Sequence, residues 1–210
     1  MTKKAFFWLF SLVFLTGLIF RAASLELRPM HHDEANQALK FGALLEQGEY
    51  RYDRADHHGP SLYYLTWPFA RLLAGRTLAS QSEITLRLVP ACFGLGTMLL
   101  FLLFLHSLGR PAVVLSALGL ALSPAFVYFS RFYIQETLLV FFLAGFLASL
   151  WRYILRPSAG SALAAGFFAG MMYATKETSV IAFAAAAAAV LLAFLSERKN
   201  RNREREAGKN

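Results

Sequence analysis

The feature that most constrains this chain is a series of apolar runs that recur along its whole length. The clearest goes from about Leu88 to Leu105, and the next from about Ala112 to Phe129. Others cover about Ala5 to Phe20, Thr137 to Trp151, Ala162 to Ala174 and Val180 to Leu195. In lipid every backbone N–H and C=O must find its partner inside the protein, so such runs form helices. A helix needs about 20 residues to cross a bilayer, and the shorter runs must borrow flanking aromatic or polar residues. With 57% hydrophobic residues among 210, the chain predicts an all-α polytopic membrane protein of about six transmembrane helices. Residues 1–196 form the membrane module, and residues 197–210 read as a basic, disordered cytoplasmic tail.

Charge placement sets the orientation. The net charge of +8 could suggest nucleic acid, but six basic residues fall in the tail "SERKNRNREREAGKN", after the last apolar run. A cytoplasmic flank explains them better. Lys3-Lys4, Arg110, Arg152 with Arg156, and the tail all fall on one side if six helices start from an internal N-terminus, as the positive-inside rule asks. The first run also carries marks of a secretory signal, with Ala22-Ala23-Ser24 as a cleavage site. An uncleaved helix is preferred because the rest of the chain spans too. The expected location is the plasma (inner) membrane. The single Cys92 lies in an apolar run and provides neither a disulfide nor a cysteine metal site.

The opposite, external face then receives a long first loop, about 23–82, together with "SRFYIQE" and "TKETS". The loop is nearly neutral, with six Lys/Arg against seven Asp/Glu. Asp33 is placed to cap a helix through Leu45 that Gly48 ends. A second helix starts at Pro60 and ends near Gly75, bent by Pro68. Its length and its Tyr and Trp content suit an amphipathic helix lying in the interface, although a true span is the alternative.

Ionisable residues beside membrane helices are costly and are functional candidates by default. Asp33, Glu34, His31, His32, His57, His58, Arg131, Glu136, Lys176 and Glu177 all fall on the external side. A carboxylate there can serve as general base to a hydroxyl, while Lys, Arg or His stabilises a departing phosphate. Each has a plainer reading. Asp33 can be a cap alone, and Glu34 can answer the helix dipole. Arg131 and Glu136 can pair with each other, and Lys176 with Glu177 can snorkel. A divalent metal on the histidines and acids is a secondary reading, since adjacent histidines in a loop rarely both face one ion.

The stretches "HHDEANQALKFGALLEQGEY", "DHHGPSLYYLTWPFARLLAG", "EITLRLVPACFGLGTMLLFLLF", "SRFYIQETLLVFF" and "ATKETS" together resemble the GT-C superfamily of membrane glycosyltransferases. The nearest type is that of the protein O-mannosyltransferases and aminoarabinose transferases. The resemblance implies a transferase using a polyprenyl-phosphate sugar on the external face, with a lipid, glycan or protein acceptor and no nucleic acid. It implies Asp33 as the catalytic carboxylate with Glu34 its partner, Glu136 as a second acidic site, and Lys176 at the lipid phosphate. His58, Arg131, Tyr63 and Tyr64 join the substrate-binding candidates. Two departures stand out: "HHGPS" replaces the lysine often found before a proline pair, and Glu177 follows Lys176 where glycine is common. Family members normally continue with further spans, so this chain reads as the N-terminal part of the family fold. A non-catalytic component of lipid-linked sugar flipping or assembly is the alternative function.

Overall fold

The computed structural model describes residues 1–53 and 58–207, residues 200–207 by backbone alone. It is helical almost throughout, with helices α1 Lys3–Ala22, α2 His32–Gln47, α3 Ser61–Leu73, α4 Glu83–Leu100 and α5 Leu105–Leu122. These are followed by α6 Pro124–Ser130, α7 Glu136–Leu155, α8 Ala159–Tyr173 and α9 Ser179–Ala207. Where the sequence predicts a disordered tail from residue 197, α9 continues to Ala207.

By length and apolarity four helical stretches among the described residues can cross a membrane: Lys3–Ala22, Glu83–Leu122, Glu136–Leu155 and Ser179–Lys199. The second is 40 residues long and holds α4, a short 3₁₀ turn and α5. It is broken at Gly109, whose φ of 77° and ψ of 164° are not helical. Pro111 follows and lacks the N–H that a continuing helix would use. Apolar α8 has 15 residues, and α3 has 13, about 20 Å at 1.5 Å per residue and short of a bilayer.

Two apolar clusters hold the bundle. One joins α2, α3, α4, α7 and α8 through Phe41, Leu62, Leu86, Leu138, Phe142 and Met172. The other joins α1, α4 and α5 through Phe10, Val13, Met98, Val113 and Ala117. Small residues let the backbones approach: a Cβ on Gly145 would lie 2.4 Å from the Phe168 ring, and one on Gly17 would lie 2.8 Å from Met98 Sδ.

Polar ties at one end of the bundle fix α2. Its N-cap is His31, whose Nδ1 accepts the Asp33 amide at 3.3 Å. The Glu34 carboxylate returns to the His31 amide at 3.1 Å, completing a capping box. Asp33 therefore lies inside the first turn, and the cap expected of it belongs to His31. Gly48, at φ 73°, ends the helix in the left-handed conformation glycine tolerates.

Glu34 does more than cap. It is fully buried, and Arg87 on α4 grips it through Nε to Oε1 at 2.8 Å and Nη2 to Oε2 at 2.9 Å. The Tyr133 amide donates to Oε1 at 2.9 Å, and Arg28 adds Nη2 to Oε2 at 3.2 Å. Arg87 also donates to the carbonyls of Leu25, Arg28 and Pro29. One ion pair thus joins α2, α4, the turn before α7 and the linker leaving α1. At the same end Arg21 donates to the Leu120 carbonyl at 2.8 Å, tying α1 to the C-terminal turn of α5.

A second tie joins two loops distant in sequence. Gly59 N donates to the Thr175 carbonyl at 3.0 Å and Ser61 N to the Ala174 carbonyl at 3.1 Å. Ser61 Oγ and Thr175 Oγ1 lie 2.8 Å apart. A Cβ on Gly59 would meet the Ala174 carbonyl oxygen at 2.1 Å, so this approach requires glycine.

Burial alone would raise the Glu34 carboxyl, but the Arg87 hydrogen bond, the Tyr133 and His31 amides and the Arg87 charge hold it below its ordinary value. A depressed acid contributes stability above the unfolded-state value and loses it as pH falls through the folded-state value. Glu34→Gln, which leaves Arg87 buried and uncompensated, should cost about 3–5 kcal/mol at neutral pH. Thermal unfolding in detergent should show this deficit shrinking as pH falls below about 4. By the same assay Gly59→Ala should destabilise by about 1–3 kcal/mol through overpacking. Gly119→Ala, where a Cβ meets open space, should not.

Candidate active site

Both ties fall at the end of the bundle where α2, α4 and α7 begin and α8 ends. Asp33 stands there with its side chain 64% exposed. Its Oδ2 lies 3.3 Å from His31 Nδ1 and its Oδ1 lies 3.6 Å from His32 Nδ1. Its neighbour Glu34 has no exposed surface. The two acids, adjacent in sequence, therefore differ in kind: one carboxylate is consumed by the fold, and the other faces outward from a helix end that the first one anchors.

Glu136 and Lys176 form the second element. Lys176 Nζ donates to Glu136 Oε1 at 2.6 Å, across the start of α7 and the turn after α8. Glu136 Oε2 is shielded and has no hydrogen-bond partner among the described residues. The pairing of Arg131 with Glu136 suggested by their spacing is absent. Arg131 instead donates to the carbonyls of Phe20 at 2.7 Å and Ser24 at 2.9 Å, closing the C-terminal end of α1. Burial, together with the nearby charges of Arg28 and Arg87, lowers the Arg131 guanidinium from its ordinary value.

His58 is held by its backbone in an antiparallel bridge to Lys176, and its carbonyl accepts the Tyr50 hydroxyl at 3.0 Å. The "HGPS" and "ATK" stretches, 114 positions apart at Ser61 and Thr175, are thus neighbours in space. His57 lies outside the described residues. Glu177 accepts the Tyr52 hydroxyl. Tyr63 is fully buried and donates to Gln37 Oε1, whereas Tyr64 is 56% exposed. No hydrogen bond or ion pair links Asp33 to Glu136 or Lys176 among the described residues. Nor does any group of three or more His, Cys, Asp or Glu side chains converge there as a metal site requires.

Several residues that matter here carry no signal in the sequence reading. Arg87 lies within an apolar run. Arg28 stacks 3.6 Å from the Phe132 ring centre while contacting Glu34. Gln37 and Gln135, buried and joined at 2.9 Å, support the floor between α2 and α7. Beside them Tyr133 donates to Thr66 Oγ1 at 3.1 Å. Burial raises the Tyr133 phenol well above its ordinary value, so it serves as a neutral donor.

What the arrangement can do chemically is present an exposed carboxylate, with imidazoles against it, on a rigid helix end. A lysine whose charge is already partly answered by a carboxylate lies at the same end of the bundle. Comparison with curated proteins returns no match. Residues 57–207 match the model of a family described as dolichyl-phosphate-mannose-protein mannosyltransferase. The matched stretch contains His58, Tyr63, Tyr64, Arg131, Glu136 and Lys176, and begins after Asp33 and Glu34. With most of its length inside that match, this all-helical membrane chain belongs to the dolichyl-phosphate-mannose-protein mannosyltransferase family of GT-C glycosyltransferases.

Proposed function

We propose that the protein is an inverting, mannosyltransferase-like enzyme that moves a sugar from a polyprenyl-phosphate donor to an acceptor hydroxyl on the external membrane face. The observation that carries this reading is the contrast between adjacent acids. Glu34 is buried against Arg87, and Asp33 is exposed on the helix turn that Glu34 fixes. A carboxylate so placed is free to act as base yet is held in one position, as general base catalysis requires.

In the reaction, Asp33 takes the proton of the acceptor hydroxyl as its oxygen attacks the anomeric carbon. The bond from that carbon to the phosphate oxygen breaks, and polyprenyl phosphate leaves with the electron pair. Lys176, released from Glu136, answers the phosphate charge, with His58 beside it. Glu34 acts as a positioning residue through α2, and Tyr64 offers an exposed ring to donor or acceptor. Tyr63 and Arg131, both committed to the fold, act through the walls of the site. In this reading α4 and α5 cross separately and α8 crosses with its flanking residues, which makes six crossings with both termini cytoplasmic. This end of the bundle is then outside, with Lys3, Lys4, Arg110, Arg152 and Arg156 towards the other.

Asp33→Asn, assayed in membranes with a labelled polyprenyl-phosphate sugar, should reduce transfer at least about 100-fold. Its thermal stability should remain that of the wild type, because the side chain is exposed. Lys176→Gln should reduce kcat/KM by about 100-fold or more through weaker stabilisation of the leaving phosphate. Undiminished transfer by the Asp33 variant would remove it from the mechanism and favour a non-catalytic role in lipid-linked sugar assembly.

A further inference from the structure

The end of the bundle remote from Asp33 has a different character. Trp151 lies about 22 Å along α7 from Glu136, and His106 lies about 28 Å along the chain from Arg87, at 1.5 Å per residue. The longer of these paths is close to the ~30 Å hydrocarbon thickness of a bilayer. A cavity of about 550 Å³ opens here, its lining including Leu103, His106, Ser107, Trp151, Arg152 and Arg156. An adjoining cavity shares His106 and Arg152 and adds Arg110.

Neither cavity has an Asp or Glu in its lining. The sequence has no acid between Glu83 and Glu136, nor between Glu136 and Glu177. Among the described residues, the Arg152 and Arg156 guanidinium groups have no hydrogen-bond or ion-pair partner. Among the described residues Arg110 donates to the Met1 carbonyl alone, at 3.0 Å. The carboxylate end answers its cations from within the chain, whereas among the described residues the linings of these two cavities supply no carboxylate.

Basic residues at one membrane boundary are expected from orientation alone. Orientation does not require that they line a cavity, or that an apolar groove opens from it. A groove of about 430 Å³, lined by Phe101, Phe104, Leu108, Ala144 and Leu147, shares Ser107 and Trp151 with the cationic cavity. Trp151 Nε1 donates to Ser107 Oγ at 2.5 Å, fixing the indole where charge gives way to hydrocarbon, the depth at which tryptophan prefers to sit.

We infer that the cationic cavity and the groove form one binding site for a lipid-borne phosphate. The phosphate sits among His106, Arg152 and Arg156, and one apolar tail runs over Trp151 into the groove. The guanidinium groups supply planar donor forks suited to phosphate oxygens, and the anion supplies the negative charge that the cavity lining lacks. A zwitterionic headgroup brings no net charge and fits less well. The site lies at the opposite end of the bundle from Asp33 and does not rest on the reading of that end as catalytic.

The test is native mass spectrometry of the full chain, purified in detergent and offered an equimolar mixture of phosphatidylcholine, phosphatidylglycerol and undecaprenyl phosphate. Retention of either anionic lipid over phosphatidylcholine is expected. Retention of phosphatidylglycerol identifies the occupant as a membrane phospholipid, and retention of undecaprenyl phosphate identifies it as an isoprenoid carrier. The double variant Arg152→Gln/Arg156→Gln should reduce that preference about thirtyfold, from about 1 kcal/mol per basic residue. Ala144→Trp fills the groove without changing charge or orientation and should reduce anionic-lipid retention as well. Equal retention of phosphatidylcholine, or wild-type retention by both variants, would overturn the proposal.

Discussion

The arrangement of this molecule depends on one buried ion pair, Glu34 with Arg87. Two charges removed from water lose several kcal/mol of hydration each, and mutual attraction offsets this only when the remaining donors and acceptors are also satisfied. Here they are. Glu34 accepts from Arg87, Arg28 and the amides of His31 and Tyr133. Arg87 spends its other donors on three carbonyls of the α1–α2 linker. The pair therefore fixes where α1 ends, where α2 begins and how α7 is approached. An apolar contact could hold α2 against α4 with similar strength. It could not specify the path of the linker, because that path is set by carbonyls that need donors.

Much of the architecture was legible in the sequence because hydropathy is a summed signal. A run of apolar residues forms a helix whatever its neighbours do, and Gly48 stops α2 for a reason local to its backbone. The roles at the helix end were not legible in the same way. His31, Asp33 and Glu34 all carry acceptors within reach of the first-turn amides, so local chemistry does not decide among them. The decision comes from Arg87, 53 positions away from Glu34, in the run "EITLRLVP" that reads simply as a span. Arg131 shows the same effect. Five positions from Glu136, it looks like a local ion-pair partner, yet the open carbonyls at the end of α1 claim it.

The junction of "HGPS" with "ATK" lies between these cases. Both stretches stand out as sequence, but nothing in either says that one lies against the other. The link is made chiefly by backbone groups, which carry no side-chain signature, with Ser61 Oγ against Thr175 Oγ1 beside them, and Gly59 reports how close the backbones come. Its missing Cβ is what allows the Ala174 carbonyl to approach. Through that contact the lysine of the α8–α9 turn is held against the entry to α3, and from there it reaches Glu136 on α7.

The two ends of the bundle handle positive charge in opposite ways, and this bears on what each can do to a phosphate. Lys176 is already matched by Glu136, so a phosphate arriving there must displace a carboxylate before it gains the contact. The net gain is small, as suits a group that must be stabilised as it departs and then released. Among the described residues Arg152 and Arg156 have no carboxylate to give up, so an anion gains their full attraction on arrival and loses it on leaving. On electrostatic grounds the first end suits a transient phosphate and the second a resident one. On the proposed function and the inferred lipid site, the same element, a phosphate on a long apolar chain, would meet this protein at both ends of the bundle with different lifetimes.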